Sequence, residues 1–264
     1  MPGVLVQQHL LSSPHLLFLY ALFRGWIHSS ESDLFMMLTV FDIDGTLCRT
    51  SGLDDACWRQ AALEVLEIDE MSTDWSDYPH STDESIATAL IREHHGVDPD
   101  RALLDRLRDH FVSLLEQCHI DDPSCVQATP GAVELLAALS QSDHPVAIAT
   151  GGWTPSARFK LSRSGIRWEN LPAAYACDAH PREEIISRAI ERAAEAYHCT
   201  TSEFKRIVYV GDGVWDIRAA DKLGISFLGI ASGHRASQLH DAGAQVVFED
   251  FADTHQVIST VTGF

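Results

Sequence analysis

Short apolar runs bounded by turn residues recur along the chain at LTVFD (38–42), PVAIATGG (145–152), AAYACD (173–178), RIVYVGDG (206–213), SFLGIAS (226–232) and AQVVFED (244–250). Their apolarity is continuous rather than alternating, the pattern of strands covered on both faces. From residue 130 onward they alternate with helical periodicity at 131–141, 155–164, 182–197, 215–223 and 235–242. Strand-helix alternation implies right-handed crossovers, so the pattern predicts an α/β fold with a Rossmann-like, doubly wound parallel sheet. In such sheets ligands lie at the carboxyl ends of the strands.

Residues 53–127 break this rhythm. LLDRLRDHFVSLLEQ (103–117) sets Leu103, Leu104, Leu107, Phe111, Leu114 and Leu115 on one stripe, and no strand pattern interrupts the segment. The expected organisation is an α/β core from 36–52 and 128–264, an inserted all-α domain over 53–127, and a leader over 1–35. The leader's HLLFLYALF (15–23) follows Pro14 with no Lys or Arg before it. Nine residues cannot cross a hydrocarbon core of roughly 30 Å, so no membrane partner is expected.

Charge and composition narrow the partners. With 264 residues and 45% hydrophobic content the chain can bury a large core. Its formal charge of -19 gives no attraction to a phosphate backbone or an anionic membrane, and nucleic acid is excluded as a partner. The six cysteines form no CxxC pair or zinc spacing and are read as reduced packing residues of a cytoplasmic protein, monomer or homodimer. Among fourteen histidines there is no HExxH, and His94-His95 beside Gly96 reads as a helix end.

Three acidic or Gly-rich turns fall at strand ends. In FDIDGTL (41–47), Asp42 and Asp44 point to the same side of the chain, and Gly45 allows a sharp turn after them. Alone, this pair is compatible with an Asp-Gly turn or a metal-binding DxD; an EF-hand fails because its glycine would stand two positions later. In VYVGDGVWD (208–216), Asp212 ends a strand and Asp216 follows one helical turn on, so four carboxylates gather at one sheet edge, a hard-oxygen set suited to Mg2+. In AIATGG (147–152), the Thr150 hydroxyl and backbone N–H groups at Gly151-Gly152 open a helix and suit an anion.

These three segments, in this order with a helical insert after the first, resemble motifs I, II and IV of the haloacid dehalogenase superfamily. The resemblance implies a phosphatase of that superfamily with a helical cap between motifs I and II. It casts Asp42 as a nucleophile that forms an aspartyl-phosphate, and Asp44 as general acid and then base. Thr150 and Gly151 would hold the phosphoryl group, and Asp42, Asp44, Asp212 and Asp216 would bind or orient Mg2+. Asp44 separates this chain from the dehalogenases, which lack the second Asp.

The family's motif III lysine is missing from DAHPREEIISRAIERA (178–193). Only three lysines exist, Lys160, Lys205 and Lys222. None lies in 1–159, which removes a Schiff-base phosphonatase. Lys160 stands ten residues past Thr150, roughly 15 Å along a helix, and Lys205 lies at the opposite sheet edge, so both are set aside. Arg182 is the expected charge-balancing and phosphate-binding cation, against a plain helix-start role paired with Glu183 or Glu184. In the cap, Trp75, Tyr78 and His80, with Arg49 near the hinge, are the candidate specificity residues. The expected activity is hydrolysis of a small phosphorylated metabolite, with a phosphomutase of the β-phosphoglucomutase type as the alternative.

Overall fold

The computed structural model describes residues 36–50 and 52–263. The leader reading for residues 1–35 lies outside the described residues. Met36–Phe264 forms one compact unit. Its elements are strands β1 (Met36–Phe41) and β2 (Cys48–Arg49), helices α1 (Leu53–Leu66), α2 (Asp83–His95) and α3 (Arg101–Asp121), then β3 (Gln127–Ala128) and α4 (Ala132–Gln141). There follow β4 (Val146–Ala149), α5 (Thr154–Arg163), β5 (Ala173–Ala174), α6 (Arg182–Ala196), β6 (Phe204–Gly211), α7 (Val214–Leu223), β7 (Ser226–Ile230), α8 (Gly233–Asp241), β8 (Val247–Phe248) and α9 (Thr254–Val261).

Six strands form one parallel sheet in the order β5-β4-β1-β6-β7-β8. The period of two along each strand divides the core. Phe41, Val146, Ile148, Val208, Val210 and Leu228 pack on one face against α4, α5 and α9. Leu38, Val40, Ala147, Ala149 and Tyr209 pack on the other against α6 and α7. Both faces are therefore buried, which is why the strands read as continuous apolar runs.

Two expected strands are shorter than their apolar runs. The segment after β5 leaves the sheet because Tyr175 to Asp178 close a turn, with the Asp178 N–H donating to the Tyr175 carbonyl at 2.9 Å. At the far edge β8 keeps two residues, a length that offers little to another chain. Three elements lie outside the periodic signal. Cys48–Arg49 pairs antiparallel with Gln127–Ala128 at the two ends of the insert, and two-residue strands carry no period. The pairing begins one residue inside the 53–127 range. Helix α9 is capped by Asp253, whose carboxylate accepts the Gln256 N–H at 3.0 Å.

The insert is helical and has its own core. Leu104, Leu107, Phe111 and Leu115 of α3 are buried against Cys57, Trp58 and Ala61 of α1 and Ile86, Leu90 and Ile91 of α2, while Leu103 and Leu114 flank them half-buried. Trp153, which belongs to the turn after β4, is buried in this cluster and stacks on Trp58 at 5.2 Å between ring centroids. Among the described residues no helix is long and apolar enough to cross a membrane.

Candidate active site

Three adjacent strands deliver the acidic and hydroxyl groups to one edge. β1 ends at Asp42, whose N–H continues the ladder to the Val210 carbonyl at 2.9 Å; its neighbour β4 ends before Thr150, and β6 ends before Asp212. Asp42, Asp44, Thr150, Gly151, Arg182 and Asp212 line one cleft. The turn after β1 depends on Gly45, which has φ of 75° and stands so close to Asp212 that a Cβ would lie 1.9 Å from Oδ2. Only glycine meets both conditions.

Asp216, in the first turn of α7, is fully buried and heavily bonded. Its Oδ2 accepts the Asp212 and Gly213 N–H groups at 3.1 and 3.0 Å, and its Oδ1 lies 3.3 Å from the Tyr209 hydroxyl and 3.0 Å from Arg182 Nη1. The same guanidinium nitrogen is 3.5 Å from Asp42 Oδ1. Arg182 Nη2 donates to the Ser81 carbonyl of the insert at 2.7 Å. Arg182 is thus the buried cation beside Asp42 and also a tie between core and insert. Tyr209, which sequence reasoning passed over, sits inside the VYVGD strand and donates to the Ala149 carbonyl at 3.1 Å.

Lys160 requires a correction. It is 2% exposed, lines the cleft, and places Nζ 2.8 Å from Asp44 Oδ1 and 2.7 Å from Asp54 Oδ1. The expected separation of roughly 15 Å treated the whole path from Thr150 as helix. Helix α5 begins only at Thr154, and helical side chains lean toward the N-terminus, so the long Lys160 side chain reaches back to the sheet edge. The Thr50 hydroxyl lies 3.0 Å from both Asp44 Oδ1 and Asp54 Oδ2, completing the cluster.

The anion-binding turn is also more engaged than expected. The Gly152 N–H donates to Thr150 Oγ1 at 3.2 Å, and the Trp153 N–H donates to Asp83 Oδ2 at 2.7 Å. Asp83 begins α2 and anchors the insert: its own N–H donates to the Gly151 carbonyl at 2.8 Å, and its Oδ1 accepts Trp58 Nε1 at 3.1 Å. Nothing in the STDES segment distinguished Asp83 from a solvated N-terminal helix residue.

Of the four residues expected to set specificity, Trp75 lines the cleft and three do not. Arg49 is half exposed and lies 3.6 Å from Asp250, just past β8, outside the cleft lining. Tyr78 is buried, with its hydroxyl donating to the Ser72 carbonyl at 2.9 Å and its ring 6.3 Å from Trp75. His80 is half-buried outside the cleft lining.

Burial dominates the electrostatics. It pushes Asp42 well above the ordinary carboxylate range, with Asp216 adding to the rise and Arg182 opposing it. Burial likewise lifts Asp212 to about 7 despite the Arg235 guanidinium, which contacts its Oδ2. Such a cluster calls for added positive charge. Ligand atoms of Asp42, Asp212 and Asp216 lie within 4.8 Å of one another, and Asp42 Oδ1 is a buried oxygen with no hydrogen-bond partner. An all-oxygen set with one orphaned carboxylate oxygen fits a hard divalent cation, which Asp42 and Asp212 would hold; Asp216 already has partners on both oxygens.

Known proteins share the fold that builds this cleft. The chain is 24% identical over 222 residues to the phosphoglycolate phosphatase of Agrobacterium fabrum, covering 81% of this chain and 89% of that one. A hydrolase from Pseudomonas syringae superposes with a TM-score of 0.66 at 22% identity, over 85% of this chain and 99% of the other. A protein assigned as a β-phosphoglucomutase from Bacteroides vulgatus has a TM-score of 0.64 at 17% identity, over 94% of this chain and 96% of its own. The profile of the haloacid dehalogenase-like hydrolases matches residues 36–224, the stretch from β1 through α7 that carries every acidic group of the cleft, and the chain belongs to that family.

Proposed function

We propose that the protein is a Mg2+-dependent phosphatase acting on a small phosphorylated metabolite through a covalent intermediate on Asp42. The observation that carries this reading is the meeting of Asp42, Asp44, Thr150 and Arg182 in one cleft at the carboxyl edge of the sheet. The Asp42 carboxylate would attack phosphorus in line with the leaving oxygen, and the P–O bond to the alcohol would break as Asp44 gives that oxygen a proton. Water would then attack the aspartyl-phosphate, Asp44 would take the water's proton, and phosphate and the free Asp42 carboxylate would result. Arg182 and the Thr150 hydroxyl would balance and orient the phosphoryl oxygens throughout.

Mg2+ held by Asp42 and Asp212 would supply the charge neutralisation that lets an anionic carboxylate approach a phosphate dianion. The helical insert would act as a cap, since Asp83, Ser81 and Thr82 bond to Gly151, Arg182 and the His180 carbonyl of the core. The likeness to a protein assigned as a phosphoglucomutase speaks to the fold, and no residue of the cleft favours a mutase over a hydrolase.

The test is release of inorganic phosphate from a panel of phosphate monoesters, with Mg2+ or with chelator. Wild type should release phosphate only with Mg2+, and Asp42→Asn should fall to the uncatalysed rate while still unfolding in one cooperative transition. Equal rates for the two proteins would remove Asp42 from the reaction.

A further inference from the structure

The cleft divides by charge. Arg182 is committed to Asp42 and Asp216, at 3.5 and 3.0 Å, and so serves the end where the phosphoryl group would sit. Away from it, the remaining charged lining groups are Asp44, Asp54, Asp83 and Lys160, apart from Asp212 of the metal set. Lys160 is already held by Asp44 and Asp54, so among the described residues the lining of this cleft offers no uncommitted cation to a negatively charged leaving group.

These carboxyls are built into the structure. Asp54 stands at the start of α1, bonded to Thr50 and Lys160, and Asp83 at the start of α2, bonded to Trp58 and the Trp153 N–H. Trp58 and Trp75 add aromatic walls, with ring centroids 6.4 Å apart. Carboxylate oxygens accept hydrogen bonds and repel anions, and aromatic faces attract cations and C–H groups.

We infer that the substrate is a phosphate monoester whose alcohol part carries hydrogen-bond donors, hydroxyl or ammonium, and no carboxylate. This rests on the phosphatase reading and assigns its substrate class. It also sets the chain apart from the activity named for its Agrobacterium relative, because glycolate is a carboxylate. Burial raises Asp54 to about 7 and Asp83 to about 6.

Four esters of matched size separate the possibilities: 2-phosphoglycolate, 2-hydroxyethyl phosphate, 2-aminoethyl phosphate and ethyl phosphate. Wild-type kcat/KM for both the hydroxy and the amino ester should exceed that for phosphoglycolate by about tenfold or more, the scale of one unfavourable charge contact. Both should also exceed ethyl phosphate. Asp83→Asn and Asp54→Asn, assayed separately so that one misfolded variant does not end the test, should each narrow the gap to phosphoglycolate. Hydrolysis of phosphoglycolate as fast as or faster than the hydroxy ester overturns the substrate class and leaves the phosphatase reading standing. Absence of Asp42-dependent phosphate release from all four, and from a broad monoester panel, overturns both.

Discussion

Lys160 shows how a single side chain can be misplaced by counting along a helix and then prove central. Its ammonium is 2% exposed and bridges Asp44 and Asp54, so removing it strands two carboxylates in a buried cleft. Lys160→Met should destabilise the fold by about 3–5 kcal/mol, the usual consequence of breaking one side of a buried ion pair. Chemical denaturation measures the loss, and Lys160→Met combined with Asp54→Asn should recover part of it because one stranded charge is gone. A stability equal to wild type in the single variant would mean that the bridge carries no weight. Arg182 differs: it touches Asp42, Asp216 and the Ser81 carbonyl, which puts its charge at the end of the cleft where the phosphoryl group is proposed to sit.

The insert meets the core through backbone groups that side-chain patterns do not report. Gly151 marks the seam: a Cβ there would lie 2.4 Å from Arg182 Nη2 and 2.8 Å from the Ser81 carbonyl oxygen. Gly151→Ala should therefore wedge the insert from the core and displace Arg182, lowering kcat/KM by about tenfold to a hundredfold with a smaller change in melting temperature. Steady-state kinetics beside a thermal melt checks this, and unchanged kcat/KM would show that the seam tolerates the methyl group. The strand-end carboxylates were legible because continuous apolar runs place them and because Asp42-x-Asp44 and Asp212 each precede a glycine. The helical insert was legible from the α3 stripe. Lys160, Asp83 and Tyr209 were not, since their roles come from contacts between elements far apart in sequence, as with Asp83 and Trp153, 70 positions distant. Arg49, Tyr78 and His80 lie outside the cleft lining for the same reason: composition marks a polar, aromatic loop and a hinge residue but not which side chains face the cleft.

At the scale of the whole molecule, gathering buried carboxyls into one cleft gives the protein an unusual stability profile. Burial raises Asp42, Asp54, Asp83 and Asp212, with Asp54 and Asp212 at about 7 and Asp83 at about 6. Each of these groups holds its proton more tightly folded than unfolded. Between about pH 4 and pH 7 the folded state therefore binds more protons, and stability falls as pH rises through that window. Carboxylates held below the ordinary range, such as Asp105 beside Arg101 and Asp178 beside Arg192, have the opposite sign, but their contribution is complete above the unfolded carboxylate range and does not offset the loss. Lys160 and Arg182 are pushed upward by their carboxylate neighbours and stay charged throughout. The metal-free protein should accordingly melt at a lower temperature at about pH 8 than at about pH 5.5, the reverse of an ordinary acid-denatured domain. Mg2+ held by Asp42 and Asp212, as proposed, would compete with protons for these carboxyls, so it should stabilise the fold at the higher pH by about 2.7 kcal/mol once its concentration is about 100 times its dissociation constant there, and little at the lower pH, with the melting temperature rising accordingly. Calorimetry with and without Mg2+ at the two pH values measures both effects. A metal-free melting temperature that rises with pH would mean that these carboxyls are not strained by burial, and an equal Mg2+ shift at both values would place the metal away from them.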